Sequence, residues 1–179
     1  MNKILVVGYG SIGKRHVQNL LAHTNSQIII CTKRQDLNFK KKHVIVSDSV
    51  EYCLSQNPNI GFICNETVNH VPLAIKLAKA GLDLFLEKPL SNSMKGVSTL
   101  NKIVKEKKLI TQMGSQFRFH DCIRKIHQLL KQKKIGKIIS VQAENGSYLP
   151  DWHPYEDYRK GYAAKKKMGG GVVLTQIHD

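Results

Sequence analysis

The chain has 179 residues, of which 41% are apolar, and carries 28 basic against 13 acidic side chains, a formal charge of +15. Domains run to roughly 100–200 residues, so this length suggests one domain, or one and part of another. The apolar share is enough for a buried core and excludes wholesale disorder.

The longest apolar run, Ile4 to Val7, extends only into glycines and Tyr9. It is too short for a membrane span or for the core of a secretion signal, so no membrane association is expected. Cys31, Cys53, Cys64 and Cys122 are scattered without a CxxC pair. No metal site, redox motif or disulfide framework follows, and the chain reads as reduced and cytoplasmic. The positive charge would suit a nucleic-acid binder. However, the lysines fall in short runs (Lys40 to Lys42, Lys105 to Lys108, Lys131 to Lys134, Lys165 to Lys167) with no alternating aromatics to stack on bases. They read as solvated faces, two of them closing helical patterns where cations complement the helix dipole. No nucleic-acid partner is expected.

In chain order, Lys3 to Val7 is a continuous apolar strand of the kind buried on both faces of a parallel sheet. Beyond the glycines, Gly13, Val17, Leu20 and Leu21 recur at helical spacing. Gln27 to Cys31 and His43 to Val46 read as the next strands, and Ser49 to Leu54 as a short helix before the turn Pro58-Asn59. Ile60 to Cys64 is a fourth strand and Val71 to Ala80 a helix stopped by Gly81. Asp83 to Glu87 is a fifth strand, a helix follows on Val97, Leu100, Ile103 and Val104, and Leu109 to Met113 is a sixth strand. Strands alternating with helices indicate right-handed crossovers, hence an α/β, Rossmann-type, doubly wound parallel sheet. A first domain is expected over 1–118.

The pattern then changes. A helix is expected from Asp121 to Gln132, with Cys122, Ile126, Leu129 and Leu130 on one face, and then a strand from Ile138 to Ala143. The aromatic stretch from Asn145 to Arg159, containing Trp152, His153, Tyr155 and Tyr158, has no period and reads as a functional loop. A glycine turn from Met168 enters a last helix. Residues 119–179 are expected to begin a second domain that is unfinished.

Gly8-Tyr9-Gly10-Ser11-Ile12-Gly13 directly follows the first strand and opens a helix. In that context GxGxxG binds a dinucleotide. The first glycine makes the turn, the second admits the pyrophosphate, the third lets helix pack on strand, and the helix N-terminus faces the phosphates. The second strand ends Cys31-Thr32-Lys33-Arg34-Gln35, with no acid before Asp36 to accept from a ribose 2′-OH. A hydroxyl and two cations suit a 2′-phosphate, so NADP is favoured over NAD.

With Glu87-Lys88-Pro89 after the fifth strand, the chain resembles the Gfo/Idh/MocA family of NAD(P)-dependent oxidoreductases. The resemblance rests on GYGSIGKRH (Gly8 to His16), CNETVNH (Cys64 to His70), AGLDLFLEKPLS (Ala80 to Ser91), GSQFRFH (Gly114 to His120), IGKI (Ile135 to Ile138) and GGGVVLTQIHD (Gly169 to Asp179). It implies a Rossmann domain followed by an open-sheet α+β domain, acting by hydride transfer on a sugar, polyol or sugar-nucleotide-like substrate. It implies that Lys88 lies near the nicotinamide and handles the substrate oxygen's proton, chemistry open to a lysine whose pKa is lowered. His178 would be the second acid/base group. Cys64, Asn65, Glu66, Thr67 and His70 would line the cofactor beyond the fourth strand, with Glu87, Lys88 and Gln116 beside it and Arg118 at the domain junction.

Two departures stand out. Many members carry an aspartate three or four residues before the histidine, where this chain has Leu174 and Thr175. Members are also longer, so the chain is expected to be the N-terminal portion of an enzyme whose full-length form is a homo-oligomer. The alternative is a non-catalytic dinucleotide-binding module.

Overall fold

A computed structural model of the chain describes residues 1–37, 39, 43–146, 148–152 and 157–176. Six strands form one parallel sheet: β1 (Lys3–Val7), β2 (Gln27–Cys31), β3 (Val44–Ser47), β4 (Ile60–Ile63), β5 (Asp83–Leu86) and β6 (Thr111–Met113). Their spatial order is β3-β2-β1-β4-β5-β6, so the winding reverses between β1 and β4. Leu5 lies level with Ile29 on β2 and with Gly61 on β4. In open sheets of this order, ligands bind where the winding reverses, beyond the carboxyl ends of the strands.

The unbroken apolar strands have the predicted consequence. Leu5, Val7, Ile29, Ile63, Leu84 and Leu86 point to one face, where they meet Cys53 of α2 (Val50–Ser55), Ala74 and Leu77 of α3 (His70–Lys79) and Leu100 of α4 (Val97–Lys107). Ile4, Val6, Ile28 and Ile30 point to the other, against Val17 of α1 (Ser11–His23) and Tyr9. Both faces are covered, as a parallel sheet requires.

Local chemistry sets the helix ends. The Ser49 side chain accepts from Tyr52 N at 3.2 Å and caps α2. α3 stops at Gly81, whose φ of +89° is the left-handed conformation glycine adopts without strain. Expected strands end within a residue or two of the observed ones. One ladder bond runs past the fourth and fifth strands, from Cys64 N to Val7 O at 2.8 Å and from Glu87 N to Ile63 O at 3.0 Å.

Beyond β6, a short 3-10 turn (Gln116–Phe119) leads into α5 (Asp121–Lys131), close to its expected span. The strand expected over Ile138 to Ala143 does not form. Ile139 is 95% and Val141 81% exposed, and among the described residues no strand lies beside them. Residues with strand propensity remain irregular when no ladder partner satisfies their main chain. Among the described residues two short α-helices follow, α6 (Leu149–Trp152) and α7 (Val172–Gln176), with 3-10 turns at Tyr162–Ala164 and Lys166–Met168 between them. The lysines of three of the four runs, 105–108, 131–134 and 165–167, are exposed, as solvated faces should be, and Lys40 to Lys42 lie outside the described residues. Among the described residues no helix is long and apolar enough to cross a membrane.

Candidate functional site

The glycine loop is built by close approach. Gly8 has φ +94°, and a Cβ there would lie 2.7 Å from Asn65 N and from the Cys64 carbonyl. Gly13 sits behind the loop, where a Cβ would come within 2.0 Å of Gly8 O. Gly10 faces open space, with nothing within 4 Å of a Cβ. It is also the N-cap of α1, without a side-chain cap and with no acid in the first turn. The first N–H groups of α1 are therefore left for an anion.

A cleft of about 1340 Å3 opens above this loop at the carboxyl ends of the strands. Gly8, Tyr9, Gly10, Ser11 and Ile12 form one wall, and Thr32, Lys33 and Arg34 the end beyond β2. Cys64, Asn65, Glu66, Thr67 and His70 come from beyond β4, and Glu87, Lys88 and Gln116 from beyond β5 and β6. Each residue expected around the cofactor lines this cleft except Gly13, which supports the loop from behind. Arg118, on the same 3-10 turn as Gln116, is exposed and outside the lining.

At the β2 end, Thr32 Oγ1 accepts from Arg34 N at 3.3 Å. The guanidinium of Arg34 grips Asp36 through two bonds, of 3.1 and 2.8 Å. That contact holds the Asp36 carboxyl below the usual carboxylate range. Burial pushes the Tyr9 phenol up, partly offset by Arg34. Asp36 is the first acid after the second strand. The structure shows it turned back onto Arg34.

At the β4 end, Asn65 Oδ1 is buried and accepts no hydrogen bond among the described residues. His70, 1% exposed, has Nδ1 2.8 Å from Pro89 O and Nε2 2.9 Å from Asn65 O. Its ring thus spans the two loops that carry Asn65 and Lys88, and both nitrogens face main chain. Replacing His70 with alanine should lower stability by about 2 kcal/mol, because two part-buried carbonyls lose their contact and a cavity opens. Urea unfolding of the two proteins measures this, and coincident midpoints would show that the ring bears no such strain.

Lys88 Nζ donates to Thr175 O of α7 at 3.3 Å, which brings the end of the described chain to the lysine. Gly169 and Tyr162 complete that approach. A Cβ on Gly169 would meet Thr67 at 2.8 Å, and Tyr162 lines the cleft. Burial, then the charges of Glu87 and Glu66, push the Tyr162 phenol up, so it stays protonated at neutral pH. His178 lies outside the described residues, as do His153 and Tyr155. Among the described residues no three His, Cys, Asp or Glu side chains converge as metal donors.

The sequence reading missed Thr175 as a partner of Lys88, the phenol of Tyr162, and His16. His16 Nε2 lies 2.6 Å from Glu87 Oε1. Helical spacing could have found it, since Gly13, His16 and Leu20 share the stripe of α1 that faces the sheet.

These residues fit a dinucleotide. Gly10 leaves the space a diphosphate needs, the first turn of α1 offers uncommitted donors, and Asn65 Oδ1 is a buried acceptor lacking a donor. A profile described as an oxidoreductase family with an NAD-binding Rossmann fold matches residues 2–115. The chain is 30% identical to myo-inositol 2-dehydrogenase of Thermotoga maritima, over 99% of its own length and 52% of that protein's. It is 28% identical to scyllo-inositol 2-dehydrogenase (NAD(+)) of Bacillus subtilis, over 97% and 50%. The chain thus spans about half the length of these curated relatives. Among solved structures, myo-inositol 2-dehydrogenase from Lactobacillus plantarum superposes with a TM-score of 0.70 at 25% identity, over 77% of this chain and 43% of that one. With the fingerprint loop, the sheet order and the family profile in agreement, the chain belongs to the Gfo/Idh/MocA oxidoreductase family, with its NAD-binding Rossmann fold.

Proposed function

We propose that this chain carries the cofactor site and the proton-transferring lysine of an NAD(P)-dependent dehydrogenase. Its substrate would be a polyol, sugar or sugar-nucleotide-like compound. The observation that carries the reading is that the glycine loop and Lys88 open on one cleft, on opposite sides of the winding reversal. The bound nicotinamide supplies the hydride acceptor or donor, and the protein supplies orientation and proton handling. When a substrate CH–OH is oxidised, the carbon gives up hydride and the oxygen gives up its proton. Lys88 in its amine form takes that proton, and in reduction its ammonium returns it. Glu66, Thr67 and Gln116 line the cofactor's path, and His178 serves as the second acid/base group. Tyr162, protonated, offers a hydrogen bond to a substrate oxygen. The names of the inositol dehydrogenases support a polyhydroxylated ring as substrate.

NADP is the preferred cofactor in this proposal. Thr32, Lys33 and Arg34 form the end of the cleft where the adenosine ribose would lie. The Arg34–Asp36 pair is more than half exposed on both sides, and such pairs yield readily to a stronger anion. Arg34→Ala should therefore weaken NADPH about tenfold and leave NADH nearly unchanged, since only NADPH loses a charge-assisted phosphate contact. Fluorescence titration of both cofactors measures this, and equal losses would end the preference.

The function itself is tested by titrating both dinucleotides and then following absorbance at the nicotinamide band with a panel of inositols, sugars and sugar nucleotides. Binding with turnover of one class supports the proposal. Binding without turnover is the outcome for half of such an enzyme as well as for a non-catalytic dinucleotide module, and no binding would overturn the reading altogether.

A further inference from the structure

His16 sits one turn past Gly13 on α1, where it packs on the sheet and borders the cleft beside Phe85 and Glu87. Its ring centroid is 5.4 Å from Phe62 and 5.0 Å from Phe85, and those two rings stack at 4.7 Å. Its Nε2 lies 2.6 Å from Glu87 Oε1, across 71 residues of sequence. Glu87 is only 8% exposed. Its other oxygen accepts from Lys88 N at 3.3 Å. A Cβ on Gly114 would lie 2.9–3.0 Å from the same carboxyl group, so β6 closes on it from the third side. The carboxyl is thus held by α1, by its own strand end and by the turn after β6. It has no freedom to rotate without losing a partner.

We propose that His16 is a positioning residue: acting through Glu87, it fixes the main chain at Lys88 and so sets where the nicotinamide end of the dinucleotide meets that lysine. The inference rests on the reading of the cleft as a dinucleotide site. The diphosphate loop does not depend on this contact. It is tied by Gly8 N to Cys31 O at 3.0 Å, Cys64 N to Val7 O at 2.8 Å and Lys14 N to Gly10 O at 2.9 Å. Removing the imidazole leaves Glu87 Oε1 buried without its partner, and a buried carboxylate in that condition turns toward the nearest donor or toward water. Both directions move the Lys88 peptide, which abuts the cleft, and leave the far phosphate end as it was. Small displacements of this kind are costly where reacting groups must be held to within a fraction of an ångström.

The contact therefore separates the two halves of the ligand, and ADP against NADH reads the separation. The probes are ADP and NADH, titrated by calorimetry into the 179-residue chain and into His16→Leu, His16→Gln and Glu87→Gln, each first melted to show that it folds. His16→Leu should weaken NADH about tenfold, the factor carried by one charge-assisted hydrogen bond, and leave ADP within about twofold. His16→Gln, whose amide reaches Glu87 with a donor, should recover most of the NADH affinity. Glu87→Gln should weaken NADH as His16→Leu does, and the double variant should lose little more, because both remove one contact. If His16→Leu does not fold, Glu87→Gln and its combination with His16→Gln carry the same comparison. Equal loss of ADP and NADH would show that His16 merely packs α1, and unchanged NADH affinity would show that the contact positions nothing. Either outcome overturns the proposal. A wild-type chain that binds ADP but gains nothing from the nicotinamide half also overturns it, whereas one that binds neither overturns the dinucleotide reading beneath it.

Discussion

Gly13→Ala is expected to abolish measurable dinucleotide binding and to lower folding stability by about 3 kcal/mol, the upper part of the range for overpacked sites. The new methyl would stand 2.0 Å from Gly8 O and 3.4 Å from the Cys64 Cβ. Neither neighbour is the loose end of a side chain, so α1 must lift from the loop. Lifting α1 moves the first-turn N–H groups away from the anion they would bind. Gly10→Ala provides the contrast. Its methyl meets nothing within 4 Å, so the fold should be intact, yet it occupies the approach of the diphosphate. Urea unfolding should therefore separate the two variants while calorimetry with ADP shows both weakened, Gly13→Ala beyond detection and Gly10→Ala by about tenfold or more. Full ADP affinity in Gly10→Ala would place the phosphates elsewhere. Wild-type stability in Gly13→Ala would mean that the loop is far softer than its contacts imply.

What the sequence made legible follows from range. The glycine fingerprint, the apolar strands and the helix stop at Gly81 are written in consecutive residues, and each was found where expected. The alternation of strands and helices was enough for a parallel sheet, because handed crossovers leave few other arrangements. The EKP segment was legible as a motif, but its environment was not. The contacts of Glu87 with His16 and of Lys88 with Thr175 span 71 and 87 residues, and no local period encodes them. The Arg34–Asp36 pair was not legible for the opposite reason. The Asp36 side chain folds back two residues onto Arg34, a rotamer choice that composition does not specify. The strand expected at Ile138 to Ala143 shows the limit of propensity, since a strand exists only with a neighbour to pair with. His70 was expected to line the cofactor and does border the cleft, but its ring nitrogens are turned to main-chain carbonyls, a use of histidine that one sequence does not announce.

The buried cysteines fit the same physical picture. Burial first, and the Glu87 charge second, push the Cys64 thiol up, so it behaves as a small apolar group under the glycine loop. Cys31 and Cys53 share one core cluster, where the influence of each thiol on the other lowers the first and raises the second. All three are buried and free. The four cysteines read from the sequence as carrying no motif, and these three serve as packing where β1, β2 and β4 meet the helices.

Lys88→Met should reduce hydride transfer by about 10²–10⁴, the usual worth of a positioned acid/base group, while NADH affinity stays within a few fold. Methionine keeps most of the apolar stem, so the packing beside Pro89 survives while the amine that would exchange a proton with the substrate oxygen is gone. Lys88→Arg sharpens the assignment. It retains a positive charge in the cleft and can still donate toward Thr175 O, but a guanidinium does not give up its proton near neutral pH. If Lys88 only stabilises a developing negative charge, the arginine variant should recover a large part of the rate. If it moves the proton, the arginine variant should be as impaired as the methionine one, and the pH dependence of the wild-type rate should be lost in both. Glu87 and Thr175, which hold the lysine from either end, are unchanged in these variants, so a lost rate is attributable to the amine itself. Single-turnover rates with saturating cofactor, across pH, distinguish these outcomes. A methionine variant as fast as wild type would remove Lys88 from the chemistry and leave proton transfer to another group lining the cleft, with Tyr162 the first to test.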